Sequence, residues 1–219
     1  MIPEYFLSRL TGSYATRRYA NLWAAVPVLQ PKRIVEIGVF RGDTGRRLIS
    51  LALEHVPRVD YWGFDLFAEE STEARLSEEV DGGTPPLPID TVFRRLQQPG
   101  ATIHLVPGDT KTTLAHTAVP SSDLVFIDGG HSYETVASDW KNVQRFLHPG
   151  SVVYFDDYTN EAGVRRGYGV KRLVDGLDST VWRVQLLKPT DRYVRPYGII
   201  EHALARVSFR RPDAEFRRE

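Results

Sequence analysis

The sequence has no cysteine, a single methionine and no net charge, its 28 basic residues matching 28 acidic ones. Without cysteine there is no disulfide, no thiolate metal site and no cysteine nucleophile, and the redox compartment cannot be read from the chain. Without net charge there is no global attraction for a phosphate backbone, so nucleic acid is not an expected partner. Long apolar runs are missing too, since none approaches the roughly 20 residues that cross a bilayer. The opening stretch MIPEYFLSRLTGSYATRRYA carries no signal-peptide core. The expected setting is cytoplasmic, with no membrane partner.

What the chain does have is ordinary for a globular protein: 219 residues, 42% hydrophobic and 26% charged. That length supports one sizeable core, and no internal repeat or linker divides it, so a single domain over 1–219 is expected. Oligomeric state is left open, and a homo-oligomer is compatible with the sequence.

Residues 13–29 show helix-like apolar spacing behind Ser13 as N-cap, giving an N-terminal helical cap over 1–30. Apolar, β-branched runs then alternate with helical ones. Strands are expected at 33–40, 61–67, 102–109, 123–130 and 151–157. Helices are expected at 43–55, capped by Asp43, and at 91–98, 110–117, 132–147 and 169–177. Two more strand-like runs, 180–188 and 198–209, have no helix between them and predict an antiparallel pair. The alternation predicts a doubly wound, Rossmann-like α/β fold, with a mainly parallel seven-stranded sheet ending in that C-terminal antiparallel pair. One irregular insertion, 66–90, carries Glu69, Glu70, Glu73, Glu78, Glu79 and Asp81 near Arg75, and its length reads as a lid. The stretch from Arg206 onward is arginine-rich and reads as solvated.

Ligands of open parallel sheets sit beyond the carboxyl ends of the strands. The unusual residues of this chain collect there. EIGVFRGDTG puts Glu36 at a strand end and Gly38 and Gly42 around the turn into a helix. Such glycines let a ligand approach the backbone, and a helix N-terminus favours negative charge. The run is not a dinucleotide-binding GxGxxG, because Phe40 stands where the second glycine belongs; a plain tight turn also accounts for it. Asp65, closing the second strand, suits ribose hydroxyls or a helix cap. Asp109, in VPGDT, caps a helix or lies beside an adenine.

Asp128 precedes two glycines and His131, and Asp156 and Asp157 close the run SVVYFDD. If strands four and five are adjacent and parallel, those ends lie roughly 5 Å apart. Three carboxylates so close repel unless a cation sits between them, and an all-oxygen set favours magnesium, manganese or calcium over zinc. The alternative is three helix-capping acids at three turns. A helix N-terminus at His131 favours the neutral imidazole, while the carboxylates push the other way. Tyr133, Tyr154, Tyr158 and Trp140 are candidate pocket aromatics, of which Tyr154 and Trp140 fit a core better.

Taken together, residues 30–209 resemble the class I S-adenosylmethionine-dependent methyltransferases. VEIGVFRGDTG is similar to their glycine-rich first motif, GFDLF to the ribose-acid strand and PGDT to the adenine-side loop. More narrowly, DLVFIDGGHSYETVASDW followed by GSVVYFDDY resembles the metal-dependent small-molecule O-methyltransferases that include macrocin O-methyltransferase and relatives of the catechol enzymes. The resemblance implies S-adenosylmethionine held along Glu36, Gly38, Gly42, Asp65, Asp109 and Asp128. It implies a divalent cation, Mg2+ first, on Asp128, Asp156 and Asp157, with His131 as the catalytic base. The acceptor it implies is a hydroxylated small molecule, whose oxygen attacks the sulfonium methyl in line. Two rivals stand beside this reading. A metal-dependent hydrolase would use the same acids and His131 on water but would leave the glycine motif and Asp65 without a role. A non-catalytic nucleoside-binding module would keep the fold without turnover.

Overall fold

β-Branched residues pack well on a pleated surface, and the runs RIVEI, VDYWGFD and SDLVFI form strands that break at glycine or aspartate. The computed structural model describes residues 17–68, 85–195 and 198–210. The strands are β1 (Arg33–Ile37), β2 (Val59–Asp65), β3 (Ala101–Pro107), β4 (Ser122–Ile127), β5 (Leu147–Thr159), β6 (Trp182–Leu186), β7 (Asp191–Arg195) and β8 (Gly198–Phe209). Between them lie helices α1 (Ala20–Leu29), α2 (Asp43–Leu53), α3 (Ile89–Leu96), α4 (Thr110–His116), α5 (Tyr133–Val143), α6 (Glu161–Val164) and α7 (Val170–Asp175). A 3-10 turn, Arg17–Tyr19, leads into α1. No described helix is long and apolar enough to cross a membrane.

The strands form one sheet in the order β3-β2-β1-β4-β5-β8-β6, with β7 also paired to β8. The first five are parallel, and β8 runs antiparallel to β5, β6 and β7. The chain therefore winds outward in two directions from β1 and β4, the arrangement that opens a crevice beyond the carboxyl ends of these strands. Alternation along each strand sends side chains to both faces, and both are covered. Ile34, Tyr61, Leu124, Phe126 and Tyr154 pack under α1, α2 and α3 through Leu22, Val26, Leu48, Ile49, Val92 and Leu96. Val35, Ile37, Val125, Ile127, Val153 and Phe155 pack with Leu114 of α4, with Val136, Trp140 and Val143 of α5, and with Val170 and Val174 of α7. Burial on two faces explains why these strands read as continuous apolar runs.

The doubly wound α/β fold and its closing antiparallel pair match the sequence-based expectation, with four differences of detail. The described sheet has eight strands instead of seven: β7 was missed because DRYVR is short and polar, and it joins the edge of β8 end to end with β6. Helix α2 is capped by Gly42 in the left-handed region at φ 80, and Asp43 instead accepts from Arg95 at 2.7 Å. Arg206 lies inside β8, its guanidinium on Gln185, so the strand runs on past the point where the chain was expected to become solvated. Helix α3 begins at Ile89, within the expected 66–90 insertion. Most of that insertion (69–84) lies outside the described residues, as does Ser13. Its neck is described: Phe67 is fully buried, and the N–H of Ala68 donates to the carbonyl of Leu87 at 3.2 Å. Tyr154 and Trp140 are core residues, as expected.

Candidate active site

Two groups of residues meet in the crevice. The first surrounds the turn after β1. Gly38, at φ 87, lies so close to the next strand that a Cβ there would overlap the backbone carbonyl of Asp128, and only glycine accepts both conditions. Asp65, at the end of β2, reaches over this turn: its Oδ2 accepts from the N–H of Phe40 at 2.7 Å, and its Oδ1 from that of Phe67 at 2.8 Å. Both phenylalanines have positive φ, 51 and 52, so Asp65 holds two strained turns in place. Glu36 is fully buried behind the turn and accepts from the hydroxyl of Tyr61. Burial, only partly offset by Tyr61, pushes its carboxyl up to about 8. Asp109 caps α4, accepting from the N–H of Lys111 at 2.9 Å. Of the two roles read for it in the sequence, the cap is thus observed.

The second group is the carboxylate centre. The parallel register that pairs Ile127 with Phe155 brings Asp128 alongside Asp156. Consecutive residues of a regular strand point to opposite faces, yet Asp156 and Asp157 both serve the crevice. A β-bulge makes this possible. Between the pairs Phe155–Ala205 and Tyr158–Ala203, β5 advances one residue more than β8, and Asp157 takes φ 54. Oxygens of Asp128, Asp156 and Asp157 then lie within 4.8 Å of one another.

Each of the three has protein partners. Nε2 of His131 lies 2.8 Å from Asp157 Oδ2, and Nδ1 of His202 lies 2.6 Å from its Oδ1. A carboxylate only accepts, so both imidazoles donate. Burial would raise this carboxyl, but the hydrogen bonds from His131 and His202 outweigh it and hold Asp157 well below the usual range. Arg18 forks onto Asp156, with Nε on Oδ1 at 2.6 Å and Nη2 on Oδ2 at 2.7 Å. Tyr19 places its hydroxyl 2.7 Å from Asp128 Oδ2 and 2.6 Å from Asp156 Oδ2. A phenol has one proton, so two such contacts need another. Asp128 is the group placed to carry it, because burial and the neighbouring Asp156 and Asp157 raise its pKa well above the usual range.

His131 is held by its surroundings. Ser132 caps α5 by accepting from the N–H of Thr135 at 3.2 Å, and the His131 carbonyl accepts from the N–H of Gly169 at 2.8 Å. Tyr168 lies against both imidazoles, with centroids 5.0 Å from His131 and 5.3 Å from His202. Tyr133 sits under Arg172 and Tyr158 donates to Asp175, contacts that direct both away from the carboxylates.

The structure thus brings Asp128, His131, Asp156 and Asp157 together and sets Gly38 against Asp128. Sequence reasoning missed Arg18, Tyr19, Asp191 and His202. Arg18 and Tyr19 reach the centre from the turn before α1, and no spacing rule links TRRYA to strand ends more than a hundred residues away. His202 did carry a signal, a histidine beside the apolar stretch ALA in the strand run GIIEHALARVSF.

The expected divalent cation can be tested against these contacts. The donor set is all oxygen and closely grouped, as a hard cation requires. However, both oxygens of Asp156, both of Asp157 and Oδ2 of Asp128 are already engaged in hydrogen bonds with Arg18, Tyr19, His131 and His202. As arranged, the residues do not fit a metal.

Comparison with known proteins agrees with the fold. The sequence pattern of a family described as Methyltransferase domain matches residues 35–158, more than half of the chain. No curated protein matches. Among solved structures, the calicheamicin methyltransferase CalS11 is 22% identical with a TM-score of 0.57, covering 94% of this chain and 86% of its own. The O-methyltransferase TomG from Streptomyces achromogenes, involved in tomaymycin synthesis and solved with its cofactor SAM, is 16% identical at TM-score 0.54, covering 94% and 95%. An rRNA methylase from Streptococcus thermophilus is 12% identical at TM-score 0.59, covering 89% and 98%. At these identities the likeness concerns the fold. None of the comparisons supports the hydrolase or the purely binding reading.

Proposed function

Because the chain belongs to the Methyltransferase domain family, we propose that it transfers the methyl group of S-adenosylmethionine to a hydroxyl of a small molecule. The observation that carries this is the contact of Gly38 with the backbone of Asp128, which makes one wall of the glycine turn and the carboxylate centre. A cofactor in the first would face an acceptor at the second.

Glu36, Gly38, Gly42, Asp65, Asp109 and Asp128 are the residues that would hold S-adenosylmethionine, which supplies an activated methyl group. Gly38 lets the turn pack directly against the backbone of Asp128, which sets the glycine turn beside the carboxylate centre. Asp65 is buried and fixed by two N–H donors, so its orientation is set before ribose hydroxyls arrive. His131 acts as the base. The hydrogen bond from Nε2 to Asp157 orients its imidazole. Asp157, held by His202 as well, fixes the tautomer and steadies the charge that His131 gains. No step is assigned to a divalent cation, because Arg18 holds Asp156.

Several features favour a small molecule over a nucleic acid. The chain has no net charge, and an acidic centre repels phosphate. TomG and CalS11, named for tomaymycin and calicheamicin, are consistent with such an acceptor. The test is methyl-labelled S-adenosylmethionine with a panel of phenolic, sugar and polyketide hydroxyls. Label should appear on an acceptor oxygen, and His131→Ala should lose roughly 100-fold or more in rate with cofactor affinity unchanged. A His131→Ala protein that runs at the wild-type rate would overturn the assignment.

A further inference from the structure

We infer that Arg18 is the resident cation of the carboxylate centre and that, in the folded protein, it excludes divalent metal from Asp128, Asp156 and Asp157. The inference deepens the methyltransferase reading and rests on it only in taking this centre as the reaction centre.

Four aspartates, Asp128, Asp156, Asp157 and Asp191, surround the guanidinium of Arg18, a residue only 6% exposed. Buried charge has to be paired, and arginine is the side chain that stays protonated in such a place. Burial opposes its charge, but Asp156 reverses the effect and raises its pKa. Its planar fork matches Asp156 at both oxygens, and Nη2 also lies 3.5 Å from Asp157. Asp191 grips the opposite side: its Oδ2 accepts from Nη1 at 2.8 Å, and its Oδ1 from the backbone N–H of Arg17 at 2.9 Å. The turn before α1 is therefore fastened to β7, and Arg18 is aimed from there at β5. A metal taking Asp156 would have to displace this guanidinium and leave it buried beside Asp191 without its principal partner. Arg18 thus acts as a positioning residue through Asp156, doing the electrostatic work that three converging carboxylates otherwise ask of a metal.

The experiment is titration of the purified protein with Mn2+, followed by the electron paramagnetic resonance of the free ion. Calorimetry with S-adenosylhomocysteine on the same samples serves as control. Wild type should leave the free Mn2+ signal unchanged. Arg18→Met should bind one Mn2+ per chain at least tenfold more tightly than wild type, and adding Asp156→Asn should abolish that gain, which a loss of general packing would not do. Wild type taking up one Mn2+ per chain overturns the inference. So does a folded Arg18→Met protein that takes up none. If Arg18→Met does not fold, the wild-type titration alone decides in either direction. Failure to bind S-adenosylhomocysteine counts against the methyltransferase reading and leaves the Mn2+ result to be read separately.

Discussion

Replacing Glu36 by glutamine is expected to stabilise the ligand-free protein, and to do so increasingly as pH rises from about 5 to 8. Glu36 is 1% exposed, and its nearest partner is the Tyr61 hydroxyl. Burial raises its pKa from an ordinary 4.5 to about 8. Between those values the unfolded chain has lost the proton and the folded chain still binds it, so folded-state stability falls as pH rises. At roughly 1.4 kcal/mol per pH unit, the loss approaches about 3 kcal/mol at pH 7 and is capped near 5 by pH 8. Glutamine keeps an acceptor for Tyr61 but has nothing to ionise, so the variant should escape this loss. For a domain of this size, a gain of about 2–3 kcal/mol corresponds to roughly 5–10 °C in Tm. The assay is thermal unfolding of wild type and Glu36→Gln at pH 5, 6, 7 and 8, reading the difference between the two curves so that histidines common to both cancel. Parallel curves across that range would refute the reasoning, since they would mean that Glu36 is ionised in the fold without cost.

Other consequences follow from the same geometry. Gly38→Ala should cost about 3 kcal/mol or more, from a left-handed alanine and an overlap with the Asp128 backbone, and thermal unfolding reads it directly. Asp65→Ala should weaken S-adenosylmethionine binding at least tenfold by calorimetry, because it removes a ribose acceptor and loosens the turns at Phe40 and Phe67. His202→Phe should cost about 1–3 kcal/mol in stability, since it leaves one oxygen of the buried Asp157 without its donor. Turnover in that variant should fall with cofactor affinity unchanged.

Much of this architecture is legible in the sequence for identifiable reasons. Apart from the partly buried edge strand β3, the parallel strands are buried on two faces, so they appear as apolar runs. Each ends at a residue that such a run does not otherwise carry: Glu36, Asp65, Asp128 or Asp156. Adjacency of the fourth and fifth strands then brings Asp128, Asp156 and Asp157 together. What was not legible depends on tertiary detail. The bulge that turns Asp157 toward Asp156 leaves no mark in SVVYFDDY, because aspartate tolerates positive φ without advertising it. Strand β7 is polar because its work is polar, Asp191 anchoring Arg17 and Arg18. The need to offset repulsion among three converging carboxylates is legible from charge alone. That an arginine from the N-terminal turn meets this need is not, since a side chain can cross from any part of the chain.

The most direct test of the central claim is an experimental structure of the wild-type protein grown with S-adenosylhomocysteine and magnesium. Expected is the nucleoside across the Gly38–Gly42 turn, its ribose hydroxyls on Asp65, its sulfur toward Asp128 and His131, and Arg18 still forked onto Asp156. A nucleoside bound elsewhere, with the glycine turn and Asp65 untouched, would contradict the assignment of this crevice as the methyl-transfer site.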